Sequence, residues 1–384
     1  MSNTLVTIDM VTREALRIAH EKCQFISTTD RQYDSSFAKT GAKIGASLRV
    51  RKPNQYLRTQ GTRVMDVQEQ DEQTSTVTVA TQDHVDMRFN SAELALSLDE
   101  LSKRYIEPAV SSLVSAIEGD YLAYATKKTY NVVGTAGTAI TDLTAPGLAR
   151  ARLNQMLAPK DRNRAIQMDS VTMAGLVKGV AAYFNPSGAI SEQYREGLVA
   201  RTSMADYYEN ERVWSLTNSG DVTVTTAAAA AVTDGGTNIT LASVGAGDTT
   251  AGMTFTVAGV YACHPETKQS LGYLQPYVVI TGGATTQEVS PATILTGPRQ
   301  NVCSAASAQL ATTAYNGTAV AVTFFGAANT SYAQSLMYHK EAFQFVTADL
   351  PLMDDAHKCV RRSQDGLSLR VWQASDIRND ELLM

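Results

Sequence analysis

At 384 residues with 44% hydrophobic side chains, the chain has the length of two or three domains and the composition of one that folds. A net charge of −5 and an isoelectric point near 5.6 argue against a dedicated nucleic-acid binder, whose domain is usually basic. Met1 to Met10 lack the basic and apolar regions of a secretory signal, and no stretch approaches the ~20 apolar residues of a membrane span, so a chain made in a cytoplasm and free of membrane is expected.

Residues 10–26 read as an amphipathic helix, with Val11, Ala15, Ile18, Ala19, Phe25 and Ile26 on one stripe. Residues 44–85 read as a long two-stranded excursion, its strands at 46–50 and 74–80. The stretch between is basic first (Arg49, Arg51, Lys52, Arg58, Arg63) and acidic second (Asp66, Glu69, Asp71, Glu72). It has few large apolar residues, and an isolated two-stranded ribbon is marginal in water, so these nine residues are the candidates for inter-subunit contact.

The longest helix is expected over 97–131, opened by a Ser97/Glu100 capping box and kinked or restarted at Pro108. A flexible connection at 134–145 leads to a helix at 145–157, a strand at 164–168 and a helix at 170–180. A turn at 183–188, a helix at 191–200 and a strand at 211–216 come next.

Residues 218–330 change character. Over these 113 positions only Asp221, Asp234, Asp248, Glu266, Lys268, Glu288 and Arg299 are charged, against 71 − 7 = 64 charges on the other 271 residues. A block rich in Thr, Val, Ala and Gly reads as short strands and turns, an all-β module inside a mixed host. Beyond it, strands are expected at 335–339, 342–347 and 367–373, followed by a charged tail.

This order resembles that of tailed-phage major capsid (coat) proteins of the Hong Kong 97-type fold, most nearly the short-tailed phage coat proteins that carry an inserted β-barrel domain. Local motifs support it: the Tyr183-Phe184-Asn185-Pro186 turn, Gly247-Asp248 through Gly252 with Phe255 and Ala258-Gly259-Val260, the segment 340–351, and Leu369-Arg370-Val371-Trp372. The resemblance implies an α+β fold: an N-terminal arm over 1–43, an extended hairpin (E-loop) over 44–90, a spine helix and P-domain over 91–133 and 346–384, an A-domain over 134–217 and 331–345, and the inserted barrel over 218–330. The family's insertion extends a long charged loop towards a neighbouring capsomer. The matching position here is the short turn Asp234 to Asn238 with one charge, which leaves the hairpin as the better source of contacts.

The resemblance further implies self-assembly into hexamers and pentamers of an icosahedral shell around double-stranded DNA. The partners would be a scaffolding protein, a portal protein and the packaged DNA by non-specific contact, and the location the virion. No phosphate loop, HExxH or GxSxG motif is present, so neither catalysis nor a cofactor is expected. Cys23, Cys263, Cys303 and Cys359 fit no zinc spacing and read as buried thiols, and the five histidines are scattered. The alternatives are another phage or surface subunit, tail or adhesin-like, and an enzyme with an appended β-domain.

Overall fold

The computed structural model describes residues 8–31, 47–61, 67–68, 72–78, 81–90, 102–180, 204–219, 223–226, 232–242, 249–283, 285–303, 320–347, 352, 358–364, 367–376 and 381–384. In chain order the helices are α1 (Ile8–Lys22), α2 (Phe25–Thr28), α3 (Glu107–Lys128), α4 (Thr144–Gln155) and α5 (Ser170–Val180). The strands are β1 (Ser47–Arg51), β2 (Thr74–Thr78), β3 (Arg88–Asn90), β4 (Arg164–Met168), β5 (Asp206–Glu209) and β6 (Ser215–Thr217). They continue with β7 (Thr223–Thr226), β8 (Gly236–Ala242), β9 (Thr254–Cys263), β10 (Ser270–Thr281), β11 (Thr286–Thr293) and β12 (Val302–Cys303). The last are β13 (Ala321–Phe324), β14 (Ser331–Ala333), β15 (Leu336–His339), β16 (Lys358–Gln364), β17 (Leu367–Asp376) and β18 (Glu381–Leu383). The fold is mixed helix and sheet. It divides into two compact units, one drawn from 1–52, 72–121 and 340–384, the other from 53–71 and 122–339.

The first unit is built on the α1 stripe. Val11, Ala15, Ile18 and Ala19 are buried against Ile106, Val110 and Val114, one i, i+4 face on another. The helix expected over 10–26 breaks in two after Lys22. The Glu118 carboxylate, fully buried on α3, accepts hydrogen bonds from the backbone N–H groups of Gln24 and Phe25 and so starts α2 afresh. That turn aims Phe25 at Tyr121 (ring centroids 4.8 Å apart) and Phe343 (6.2 Å). The long helix also differs from expectation. A π-helical turn at Ser102–Ile106 runs directly into α3, and Pro108, which has no N–H to donate to the preceding turn, is the second residue past that junction. Ser97 and Glu100 lie outside the described residues.

The strand expected at 342–347 is replaced by a 3₁₀ turn at Lys340–Ala342 and a single parallel bridge between Asp30 and Gln344. Asp30 takes up this segment's backbone groups: its N–H donates to the carbonyls of Lys340 and Phe343, and its carbonyl accepts from Phe345. A four-stranded antiparallel sheet in the order β16-β17-β18-β3 closes the unit. Part of the expected charged tail is thus strand β18, with Met384 and Met87 exchanging backbone hydrogen bonds.

In the second unit β4 is buried along its whole length between β15, antiparallel, and β5, parallel. Ile166, Met168, Met173 and Leu176 form the core beneath it. Asp169 caps α5 by accepting from the Thr172 backbone N–H at 3.2 Å. The strand expected at 211–216 is instead two strands, β5 and β6, separated by a turn in which Asn210 accepts from the Arg212 backbone N–H. The turn at 183–188 and the helix at 191–200 lie outside the described residues.

Strands β6 and β14 pair with each other, Ser215 with Ala333 through Thr217 with Ser331. Everything between them leaves and returns through this two-stranded neck. Asn218 pins it by donating to the carbonyls of Phe325 (3.0 Å) and Ala327 (3.2 Å). Beyond the neck the sheet runs β10-β11-β8-β7-β13-β9-β12, and β9 pairs with β10 as well, so the sheet curls until its strands meet. Inside it lie Phe255, Tyr277, Phe324 and a set of aliphatic residues including Val257, Val279 and Leu241. Gly252, at φ +97°, admits Trp214 so closely that a Cβ there would lie 2.5 Å from the indole ring.

Candidate assembly surface

Strands β1 and β2 form a two-stranded antiparallel ribbon, Ser47 opposite Thr78 through Arg51 opposite Thr74. Alternating Thr, Ser and Val in 74–78 favours an extended backbone, and Lys52 N–H to the Gln73 carbonyl (2.8 Å) continues the ladder. Yet β2 is exposed at every position but Val77, so among the described residues it has no core of its own.

Of the nine candidate contact residues, Arg49, Arg51, Lys52, Arg58 and Glu72 are described and all are exposed. Arg63, Asp66, Glu69 and Asp71 lie outside the described residues. Arg51 pairs with Glu72 of its own chain at 3.4 Å, so the basic and acidic halves already meet once across the ribbon. With both side chains more than half exposed, this pair is worth about 0.2–1 kcal/mol and is readily exchanged.

Sequence reasoning missed the apolar tip. Tyr56 is 57% exposed and Leu57 37%. The Gln68 side chain clamps the Leu57 backbone, accepting from its N–H at 2.8 Å and donating to its carbonyl at 2.6 Å. The available signal was a Tyr-Leu pair inside a stretch otherwise polar, Pro-containing and charged.

Groups with shifted titration lie elsewhere. In the second unit burial, then the neighbouring Cys303, pushes the Cys263 thiol up to about 12, and burial holds the Lys268 ammonium below its usual range. Lys268 donates to the Gln300 carbonyl at 3.4 Å. The Asn163 backbone N–H, and after it His339 at 2.9 Å, hold the Asp161 carboxyl low. His264 caps a turn, its Nδ1 accepting from Glu266 and Thr267. Among the described residues no group of three His, Cys, Asp or Glu side chains is placed to hold a metal, and no helix is long and apolar enough to cross a membrane.

No family model matches the chain, and no curated protein matches it. Among solved structures it is similar to a chain of the "Capsid structure of the Cyanophage P-SCSP1u", at 12% identity and a TM-score of 0.33. The match covers 47% of this chain and 61% of that one, so this chain spans about three-fifths of that chain's length.

Proposed function

We propose that the chain is a major capsid protein of the Hong Kong 97-type fold, which self-assembles into hexamers and pentamers of an icosahedral shell around double-stranded DNA. The observation that carries this reading is the ribbon: two paired strands of which β2 is exposed at four of its five positions, in a chain whose curled sheet encloses a filled core. Such a ribbon gains its burial from a surface outside its own chain. The order of elements supports the rest: a helix packed on a longer helix, the ribbon between them in sequence, a terminal sheet, and a curled sheet set into the chain through a neck.

On this reading the curled sheet is the inserted β-barrel, since its six strands β10, β11, β8, β7, β13 and β9 pair in a circuit. Asp234, the one charge of the turn that stands where the family has a long loop, accepts from the Leu295 backbone N–H and the Thr296 hydroxyl of its own chain. The protein acts by association and not by catalysis, and uses no cofactor. Its partners are further copies of itself, a scaffolding protein, a portal protein and DNA held by non-specific contact. It assembles in the bacterial cytoplasm and ends in the virion.

Individual surface contacts are weak, which suits reversible growth and correction of errors, while many copies together give a durable shell. The test is negative-stain electron microscopy of the chain expressed alone and with its neighbouring phage genes. Closed shells or ring-like capsomers are expected; monodisperse monomers under both conditions would overturn the reading.

A further inference from the structure

We infer that Cys263 and Cys303 form a two-coordinate site for copper(I), a soft monovalent cation, with the Lys268 ammonium balancing its charge. This goes beyond the capsid reading and stands independently of it. Cys263 ends β9 and Cys303 ends β12, and both are buried free thiols. The register sets Cys303 opposite Tyr261, so Cys263, two residues further along β9, lies on the same face of the sheet at the diagonal position. The two thiols are in hydrogen-bonding contact with each other. Backbone and side-chain bonds fix them there: the Cys263 N–H donates to the Asn301 carbonyl at 3.0 Å, and Cys303 Sγ to the Ala262 carbonyl at 3.7 Å.

Magnitudes separate the uses open to such a pair. Diagonal neighbours on antiparallel strands have Cα atoms roughly 7–8 Å apart. A disulfide needs about 4.4–6.8 Å, so these thiols are too wide to close on each other unless a strand moves. An ion held between two thiolates adds two metal–sulfur bonds of about 2.3 Å each, and that bridge spans the wider gap. Tetrahedral zinc needs four ligands, and among the described residues no third His, Cys, Asp or Glu joins the pair. Two soft sulfur ligands suit copper(I). Lys268 is the second observation. It lies between β9 and β10, is 6% exposed, and donates from Nζ to the Gln300 carbonyl. Among the described residues no carboxylate pairs with it, and a buried ammonium without a counter-ion is costly. Binding runs as 2 RSH + Cu⁺ → [Cu(SR)₂]⁻ + 2 H⁺, so the loaded site places a negative charge beside that ammonium. A cavity of about 360 Å³, lined by Cys263, Gln300 and Asn301 among others, gives the ion a way in. The ion braces β12, at the end of the curled sheet, against β9 and takes part in no reaction.

The test titrates the reduced full-length chain with copper(I) against bicinchoninate in the absence of oxygen. The chain is expected to hold one equivalent against the chelator, with the X-ray absorption of two-coordinate copper in an all-sulfur site. Cys263→Ala and Cys303→Ala should each weaken binding by more than about a hundredfold, while the double variant Cys23→Ala with Cys359→Ala leaves it unchanged. Lys268→Met probes the charge: about tenfold weaker binding is expected, with recovery in Lys268→Arg. A chain that takes up no copper, copper with three or four ligands, or full affinity in Cys303→Ala would overturn the site. So would a Cys263–Cys303 disulfide in the chain as purified. If an alanine variant loses the parent's circular dichroism, the absorption spectrum of the parent still reports the coordination number. None of these outcomes touches the capsid reading, which rests on electron microscopy.

Discussion

The ribbon β1–β2 and the curled sheet β7–β13 are written in nearly the same alphabet. Thr74-Ser75-Thr76-Val77-Thr78 and Thr254-Phe255-Thr256-Val257 both place Thr at every second position. One stays exposed at four of five positions; the other is buried at Thr254, Phe255 and Val257. The difference is in partners rather than propensity. Strand β9 has neighbours on both edges and stacks Phe255 on Tyr277 and Phe324, whereas β2 pairs only with β1 among the described residues. Propensity makes a strand; a second layer or a second chain makes it stable.

If stability resides in the filled regions and association in the ribbon, substitutions should sort accordingly. Phe255→Ala removes a ring at 5.3 Å from Phe324 and 5.9 Å from Tyr277, and is expected to cost about 3–5 kcal/mol by urea titration of the full chain. Glu118→Ala strips the acceptor from the two N–H groups that open α2, and a loss of about 1–3 kcal/mol is expected in the same titration.

A smaller effect is expected from alkali. The folded chain keeps the Cys263 thiol protonated up to about pH 12, while the unfolded chain releases that proton near its ordinary value of 9.0. This contribution is therefore full below pH 9 and is lost as pH rises towards 12. The urea midpoint should fall across that window in the parent and fall less in Cys263→Ala, and parallel declines would refute the assignment. Smallest in stability and largest in assembly is Arg58→Glu with Arg63→Glu. The monomer's unfolding free energy is expected to stay within about 0.5 kcal/mol, while electron micrographs lose their shells. Normal shells from this double variant would erase the contrast between the two regions.

The sequence made some of this legible. The α1 stripe is buried residue for residue as its spacing indicates, because i, i+4 periodicity is local. Strand β4 and helix α5 keep their expected bounds. What failed was set from far away. Glu118 reaches the start of α2 across 93 residues of sequence, so the expected single helix could not show its break. The segment 342–347 is turned by Asp30, and β18 exists because β3 and β17 flank it. At the candidate surface the charges were visible, but their intrachain pairing at Arg51 and the clamp that presents Leu57 depend on which residues the ribbon brings opposite one another.

The neck carries one more consequence. Thr217 and Ser331 are paired neighbours, so the chain's exit to the 113-residue insertion and its re-entry lie about 5 Å apart. A segment joined at such a gap is a cassette. It can be exchanged for a foreign domain whose own termini are adjacent, provided that the graft also covers Trp214 and Leu216, which pack on the insertion's core.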